Sequence, residues 1–308
     1  MSERLAVATL PGVGWRAAEI SRVAKIAEDS GFDAIFAAEV NNDGLATVQL
    51  MGSVTERIQV GTWITSVFIR HDYACAQASS LIADATGGRF ILGLGASHLP
   101  VNRALGVDRP DAAQSVAMYA AAVKSWLRGE GPATHLPQSP APVSVPVYVA
   151  ALTSGQVKRA AAVADGLMPI FWSPARLERS QKWVAQGRAE AEAAASFDIT
   201  MGLPTFIGDD VDQLRSIARE NLALYTTFPY YQTLFHVSGF EDEAKRMANG
   251  ELGASYSDRL LDAICLLGPV GKCTERVAEY RAAGADLPIL YPPIGLDATL
   301  DVIKAFAR

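Results

Sequence analysis

Cysteine is almost missing from this chain: Cys75, Cys265 and Cys273 are the whole supply in 308 residues, with no CxxC pair and none beside a histidine. A disulfide scaffold and a thiolate-held structural zinc are thereby excluded. Histidine is equally sparse. His71, His98, His135 and His236 form no HxH or HExxH pattern, and no Asp/Glu cluster stands at ligand spacing, so no built-in metal site is expected. An excess of positive charge is lacking too. With 27 Lys+Arg against 33 Asp+Glu, the formal net charge is −6, which offers no field to draw in a phosphate backbone or an anionic bilayer. Nucleic acid and membrane are not the expected partners; a small molecule is. Long apolar runs are also absent. No window approaches the roughly 18 unbroken apolar residues that cross a bilayer, and the opening MSERLAVATL has no apolar core of a signal peptide. The expected compartment is the cytoplasm.

What the chain does have is 50% apolar residues arranged as short apolar runs that alternate with stretches of helical period. That alternation is the mark of repeated βα units and a parallel sheet. Eight candidate strands can be read, at residues 5–10, 33–38, 58–65, 89–94, 147–151, 167–171, 199–206 and 287–291. Between the first two, Ile20, Val23, Ala24 and Ala27 fall at i, i+3, i+4 and i+7 and predict one buried helical stripe. A turn echo recurs: Gly31-Phe32-Asp33, Ala164-Asp165-Gly166 and Gly284-Ala285-Asp286 each precede an apolar strand. Eight units suit an α/β fold of the (β/α)8 TIM barrel class, one domain over residues 1–308. Two segments are too long for plain connections, and place insertions after strands 4 and 7. Residues 129–146 carry five prolines and predict an extended loop. Residues 225–261 open with YTTFPYYQTLFHVSGF, six of the chain's 25 aromatic residues, which fits a lid, a subunit contact or a local mini-core.

Familiar motifs fail. Gly268-Pro269-Val270-Gly271-Lys272-Cys273 has the wrong glycine spacing for a phosphate loop, and Gly93-Leu94-Gly95 lacks the third glycine of a dinucleotide fingerprint. Gly95-Ala96-Ser97-His98-Leu99 lacks the closing glycine of a nucleophile elbow. What remains is positional, because a barrel of this kind builds its active site after the C-terminal ends of its strands. Polar residues concentrate there: Glu39-Val40-Asn41-Asn42, Ser66 to His71, and Ser97-His98. After strand five, Ala151-Leu152-Thr153-Ser154-Gly155 opens a helix whose free N–H groups suit an anion. His98 has a side chain whose ordinary pKa suits proton donation near neutral pH, the bland alternative being a loop histidine bonded to backbone. Glu39 is either a general acid or a strand-end carboxylate in a salt bridge. Arg70 and His71 read as a helix-start pair, Asp84 and Arg89 as a structural pair around the Gly87-Gly88 turn, and Cys75 as core.

Taken together, GFDAIFAAEVN, IQVGTWITSVFIRHDYACAQASSLIADATGGRFILGLGAS, PVYVAALTSGQVKRAAAVADGLMP and GPVGKCTERVAEYRAAGADLPILYPP resemble the bacterial luciferase-like monooxygenase superfamily. Within it, the Ala-Ala-Leu after strand five and the Ala-Asp-Gly before strand six are most similar to the coenzyme F420-dependent oxidoreductase branch, the methylenetetrahydromethanopterin reductase-like enzymes. The resemblance implies a (β/α)8 barrel and hydride transfer between the deazaflavin coenzyme F420 and a small organic substrate, the protein supplying orientation and electrostatics. It implies a non-proline cis peptide at a bulge after strand three, placed at Ser66–Val67 in Thr65-Ser66-Val67. Coenzyme contacts would map to those three residues, Ser97, Ala150, Ala151, Leu152, Thr153 and Ser154, with Pro169 and Ile170 as neighbours. Catalytic candidates are His98, Glu39 and Asn41; Asn42, Phe228, Tyr230 and Tyr231 are candidates for the substrate pocket. The alternatives are an FMN-dependent monooxygenase using dioxygen and a partner reductase, and a cofactor-free barrel that only binds, to which Arg70-His71-Asp72 and Thr153-Ser154 point because relatives often have Arg-His-Pro and Gly-Pro there. A mean hydropathy of +0.14 points to a buried subunit interface, expected as a homodimer.

Overall fold

Eight apolar runs become parallel strands, and the last of them pairs with the first. The computed structural model describes residues 3–107, 112–131, 139–190 and 196–308. Its barrel strands are β1 (Ala6–Thr9), β2 (Ala34–Ala37), β3 (Gln59–Thr62), β4 (Phe90–Gly95), β5 (Val147–Val149), β6 (Gly166–Leu167), β7 (Asp198–Ile207) and β8 (Leu287–Tyr291). Each is paired in parallel with the next, and Ala6 opposite Ile289 closes the ring. Helices connect the strands around the outside, so the fold is the (β/α)8 barrel expected. Strands β1 and β2 are buried along their whole length, which is why they read as unbroken apolar runs instead of alternating ones. Strand β6 is shorter than residues 167–171: Pro169 has no N–H for a ladder, and only Ile170 still meets β7, at Gly202. Strand β7 runs ten residues, and its far end pairs with a short accessory strand, Leu266–Gly268.

The first helix, Ala17–Asp29, buries the predicted stripe of Ile20, Val23, Ala24 and Ala27, and also Glu28. That carboxylate has a purpose. Its Oε1 accepts the backbone N–H groups of Glu56, Arg57 and Ile58 at 2.8, 2.6 and 3.2 Å, and its Oε2 accepts Lys25 at 3.0 Å. The turn entering β3 is thus tied to the helix that precedes β2. Arg89 does similar work and corrects the expected pairing with Asp84. Its guanidinium donates to the carbonyls of Gly52, Thr55 and Ile58 at 3.1, 2.8 and 2.7 Å. The orphan carbonyls at the end of helix Gly44–Ser53 are the stronger attraction for a cation. Cys75 is buried core.

Of the two long segments, residues 132–138 of the proline-rich one lie outside the described residues, and 139–146 run without regular structure into β5. The aromatic segment folds into a 3-10 turn (Ala223–Thr227), helices Pro229–Val237 and Glu241–Ala248, a second 3-10 turn (Leu252–Ser255) and helix Asp258–Ile264. Among the described residues no helix is long and apolar enough to cross a membrane.

Burial alone would push the Glu28 carboxyl up, but the N–H groups of Arg57, Glu56 and Ile58 and the Lys25 ammonium outweigh it and hold it down at about 2. Because the folded value lies below the unfolded one, this stabilisation is full above about pH 4.5 and fades as pH falls toward 2. Glu28→Ala is expected to cost about 3 kcal/mol at pH 7, the range for buried donors left unpaired, measured by urea denaturation. The gap between wild type and Glu28→Gln should narrow as the titration is repeated from pH 7 toward pH 3; a constant gap refutes the assignment.

Candidate functional site

Strand β3 carries one residue more than its neighbour allows. Gly61 stands opposite Ile91, and pairing resumes with Thr65 opposite Leu94 and Ser66 opposite Gly95. Residues 62–64 therefore face only 92–93, the arrangement of a β-bulge. The non-proline cis peptide lies inside it, at Trp63–Ile64, and not at Ser66–Val67. The reason is register: Ser66 is back in the ladder, and the Val67 N–H donates to the Gly95 carbonyl at 3.0 Å, so only 62–64 are free to depart from strand geometry. The Thr62 hydroxyl clasps β4, donating to the Gly93 carbonyl at 2.8 Å and accepting its N–H at 2.9 Å. The glycines of β4 make room. A Cβ on Gly93 would sit 2.1 Å from the Thr62 carbonyl oxygen, and one on Gly95 would sit 2.6 Å from the Ile64 side chain.

Glu39, at the end of β2, locks the bulge from outside the barrel axis. Its Oε2 accepts the Ser66 N–H at 2.8 Å, while Oε1 accepts the Gly44 N–H at 3.0 Å and both Nη groups of Arg70 at 3.1 Å. Arg70 also reaches Asp43 at 3.0 Å. With 3% of its side chain exposed, Glu39 is saturated by four donors, which is the salt-bridged alternative of the sequence reading.

Around the bulge the C-terminal strand ends enclose a cavity of about 180 Å³. Of the predicted residues, Glu39, Ser97, His98, Ala150, Ala151, Leu152, Ile170, Tyr230 and Tyr231 line it. Thr65, Ser66 and Val67 are buried behind the bulge, Pro169 is buried behind the wall, and Phe228 is buried behind His98. Thr153 and Ser154 open helix Ser154–Val163 beside the lining. Asn41, exposed with φ +55°, is off the wall. So is Asn42, whose amide is used on Val40 and Thr47 at 2.8 and 3.0 Å. Sequence reasoning missed Leu10, Ala38, Trp63, Ile64, Ala96, Gln156, Met168 and Tyr225, all of which line the cavity. Most stand one or two residues past a strand end, a signal the strand boundaries carried. Gln156 differs: its Oε1 accepts the N–H groups of Leu152 and Thr153 at 3.0 and 3.1 Å, holding the turn after β5.

His98 stands at the cavity edge, stacked face to face on Phe228 at 4.0 Å and 6°, with Tyr231 at 5.7 Å and Tyr225 at 6.1 Å. Among the described residues its nitrogens have no hydrogen-bond partner. Burial pushes the imidazole down to about 4, so at neutral pH it is uncharged. That corrects the expectation of an unperturbed proton donor: the ring offers one N–H and one lone pair. The Tyr225 hydroxyl meets that of Tyr291 at 3.0 Å, and Tyr291 packs edge-on against Trp63 at 5.2 Å, so the aromatic roof rests on the bulge.

The sequence profile of the luciferase-like monooxygenase family matches residues 4–287. A Mycobacterium tuberculosis protein bearing the name of a coenzyme F420-dependent oxidoreductase is 27% identical, the match covering 86% of this chain and 88% of the relative. The 5,10-methylenetetrahydromethanopterin reductase of Methanolobus tindarius is 25% identical, over 90% and 91%. In three dimensions the chain superposes on the coenzyme F420-dependent tetrahydromethanopterin reductase of Methanopyrus kandleri with a TM-score of 0.78 at 19% identity, covering 98% and 97%.

Because the folded value of His98 is below its unfolded value of 6.5, its contribution to stability is complete above pH 6.5 and declines as pH falls toward 4. An NMR titration of the imidazole should find His98 uncharged at pH 6 and a midpoint near 4. Phe228→Ala, by admitting water, should raise that midpoint by about one unit; a wild-type midpoint near 6.5 would refute the burial argument.

Proposed function

Because the chain belongs to the luciferase-like monooxygenase family, we propose that it is a coenzyme F420-dependent oxidoreductase that moves a hydride between the deazaflavin coenzyme and a small organic substrate. The observation that carries this is the β-bulge at residues 62–64, seated on Gly93 and Gly95 and followed by the Glu39–Ser66 bond, which turns Trp63 and Ile64 into the cavity lining. The residues present fit the coenzyme. Ala38, Ala96, Ala150 and Ala151 keep the lining shallow and apolar, as a planar ring requires. The first N–H groups of helix Ser154–Val163 face the turn after β5, and the Arg159 guanidinium folds back to 3.5 Å from where a Gly155 Cβ would lie. That end suits the anionic tail.

When bound, the coenzyme supplies a ring carbon that accepts or gives the hydride. The chain's own groups do the rest. In this reading Glu39 is a positioning residue, its carboxylate spent on the bulge and on the start of helix Gly44–Ser53. Thr65, Ser66, Val67 and Pro169 act from behind the wall; Ser97, Ala150 to Ser154 and Ile170 border the coenzyme. His98 holds the reacting oxygen or nitrogen of the substrate, and Tyr230 and Tyr231, with Phe228 behind them, exclude water. FMN with dioxygen is the second reading, supported by the monooxygenases that give the family its name. A homodimer completes the proposal, supported by exposed Leu81, Leu105 and Met118 on the outer helices.

Trp63 in the wall makes the test direct. Titration of the purified protein should quench tryptophan fluorescence with an affinity on the order of micromolar for F420 and far weaker for FMN. Gly95→Val, which drives a branched side chain into Ile64, should weaken F420 about tenfold or more, with Gly95→Ala intermediate. Tight FMN binding without F420 overturns the coenzyme assignment, and binding of neither overturns the hydride-transfer reading.

A further inference from the structure

We propose that Tyr225 is a ligand-binding residue: its hydroxyl, held from behind by Tyr291, points its hydrogen into the cavity and donates it to a lone pair on the molecule bound there. The acceptor is an oxygen or nitrogen of the coenzyme ring or of the substrate, and to that extent the inference rests on the hydride-transfer reading above.

The first observation is the accounting of two hydrogens. The hydroxyls of Tyr225 and Tyr291 lie 3.0 Å apart, and among the described residues neither has another hydrogen-bond partner. Two O–H groups share one contact, so one of them donates and the other has its hydrogen left over. Tyr291 is 3% exposed and does not line the cavity. The hollow that it does border, with Pro204, Asn221 and Ile294, has no room for a water. If Tyr225 were the donor, the Tyr291 hydrogen would be buried with nothing to meet, which native structures rarely tolerate. Tyr225 is half-buried and lines the cavity, so its hydrogen has somewhere to go. The bond therefore runs from Tyr291 to Tyr225. The electrostatics agree. Burial pushes both hydroxyls up; the Tyr291 O–H works against burial at Tyr225, while the same bond adds to it at Tyr291.

The second observation is rigidity. Tyr291 ends strand β8, in register with Pro204 of β7, and its ring meets Trp63 edge-on at 5.2 Å. Tyr225 stands edge-on to Phe171 at 5.0 Å and to Tyr231 at 5.1 Å. Neither ring turns away without unpacking the roof. The barrel thus sets the aim of the O–H before any ligand arrives, and a donor oriented in advance needs no reorganisation when charge builds on the atom it faces.

The third is the surrounding lining, where no described side chain takes the hydrogen first. Both Glu39 oxygens are occupied by backbone N–H groups and Arg70, and the Gln156 Oε1 is occupied by the N–H groups of Leu152 and Thr153. The hydrogen is left for the ligand. A molecule that brings only a donor or bare carbon to this point leaves the O–H unpaired, so the two tyrosines select for an acceptor where the wall meets the roof.

Trimethylphosphine oxide is a suitable probe, being uncharged, able only to accept, and carrying a phosphorus whose ³¹P shift follows the strength of the hydrogen bond it receives. It and F420 are titrated separately into the wild type, Tyr225→Phe, Tyr291→Phe and the double variant, all of which keep the rings that pack the roof. Tyr225→Phe should weaken the phosphine oxide about fivefold, the usual yield of one hydrogen bond, and reduce the ³¹P shift of the bound probe. F420 assigns the source of the acceptor. If the coenzyme supplies it, F420 affinity falls by a similar factor in Tyr225→Phe; if the substrate does, F420 affinity holds and the phosphine oxide still binds beside the coenzyme.

Tyr291→Phe decides the direction of the bond. If Tyr291 donates, its loss removes the contact that polarises the Tyr225 O–H, and binding weakens by up to about twofold. The double variant then matches Tyr225→Phe, because Tyr291 acts only through Tyr225. Were Tyr225 the donor, Tyr291→Phe would release its hydrogen to the ligand and tighten binding. The proposal is overturned if Tyr225→Phe leaves both affinities as they were, or if Tyr291→Phe tightens either. If F420 does not bind while the phosphine oxide still depends on Tyr225, the hydride-transfer reading fails and this inference stands; if F420 binds and neither affinity depends on Tyr225, this inference fails alone.

Discussion

Between Gly61 and Thr65 the third strand holds one residue more than the strand beside it can pair, and the surplus backbone has to leave the ladder. Much of the site follows from where it goes. It comes to lie over β4, which is possible because Gly93 and Gly95 have no Cβ to meet the Thr62 carbonyl and the Ile64 side chain. The pairing with β2 ends at Ala37 opposite Thr62, so backbone groups beyond it on that side need other partners. The Ser66 N–H finds Glu39, which in turn takes Arg70 and the N–H of Gly44 and so fixes the start of the next helix. On the inner side Trp63 packs against Tyr291, and Tyr291 meets Tyr225. A single register mismatch thereby sets both the wall of the cavity and the height of its aromatic roof.

The roof has a second tether, from below. Arg176 is 3% exposed and, among the described residues, has no carboxylate partner. It donates to the Leu152 carbonyl at 3.1 Å and to the Val237 carbonyl at 3.3 Å, and its guanidinium lies 4.7 Å from the Trp183 ring. Burial pushes its pKa down to about 10, which leaves it charged at neutral pH. Carbonyl dipoles and a tryptophan face do the neutralising that an acid would otherwise do. One of those carbonyls belongs to the turn after β5, the other to the end of the helix that carries Tyr230 and Tyr231. The two halves of the site are therefore held at a fixed separation by one cation that touches neither the cavity nor solvent.

The parts legible in the sequence are those decided locally. Apolar runs located all eight barrel strands, β8 residue for residue, because a strand buried on both faces has to be apolar throughout. The helix stripe of Ile20, Val23, Ala24 and Ala27 was legible for the same reason. What escaped depends on two segments meeting. The cis peptide was expected at Ser66–Val67 and lies at Trp63–Ile64; only the offset between β3 and β4 reveals which residues are surplus. Arg89 was expected on Asp84 and goes to the carbonyls of another helix's end. His98 was recognised by its place after β4, but its neutral state comes from burial among Tyr225, Phe228 and Tyr231, more than 120 positions later in the chain. Asn41 and Asn42 look polar and well placed in sequence, yet a turn that satisfies its own backbone has aimed both away from the wall.

The barrel has a larger hollow than the one assigned, and the comparison shows what locates chemistry. About 430 Å³ opens among Lys124, Tyr148, Asp165 and Asp198, at the N-terminal ends of β5 to β7. Its charged side chains are already paired. Asp165 takes Lys124 at 2.6 Å and the Val147 N–H at 2.9 Å, and Asp198 takes Arg4 at 2.8 Å and the Tyr148 hydroxyl at 2.7 Å. These pairs anchor strand starts, and a ligand there would have to break one to gain another. The smaller cavity at the opposite end is lined mostly by apolar side chains, with Glu39 and Gln156 already bonded to the backbone around it. It keeps a histidine whose nitrogens have no partner among the described residues, so a ligand gains a hydrogen bond there without displacing any the fold needs.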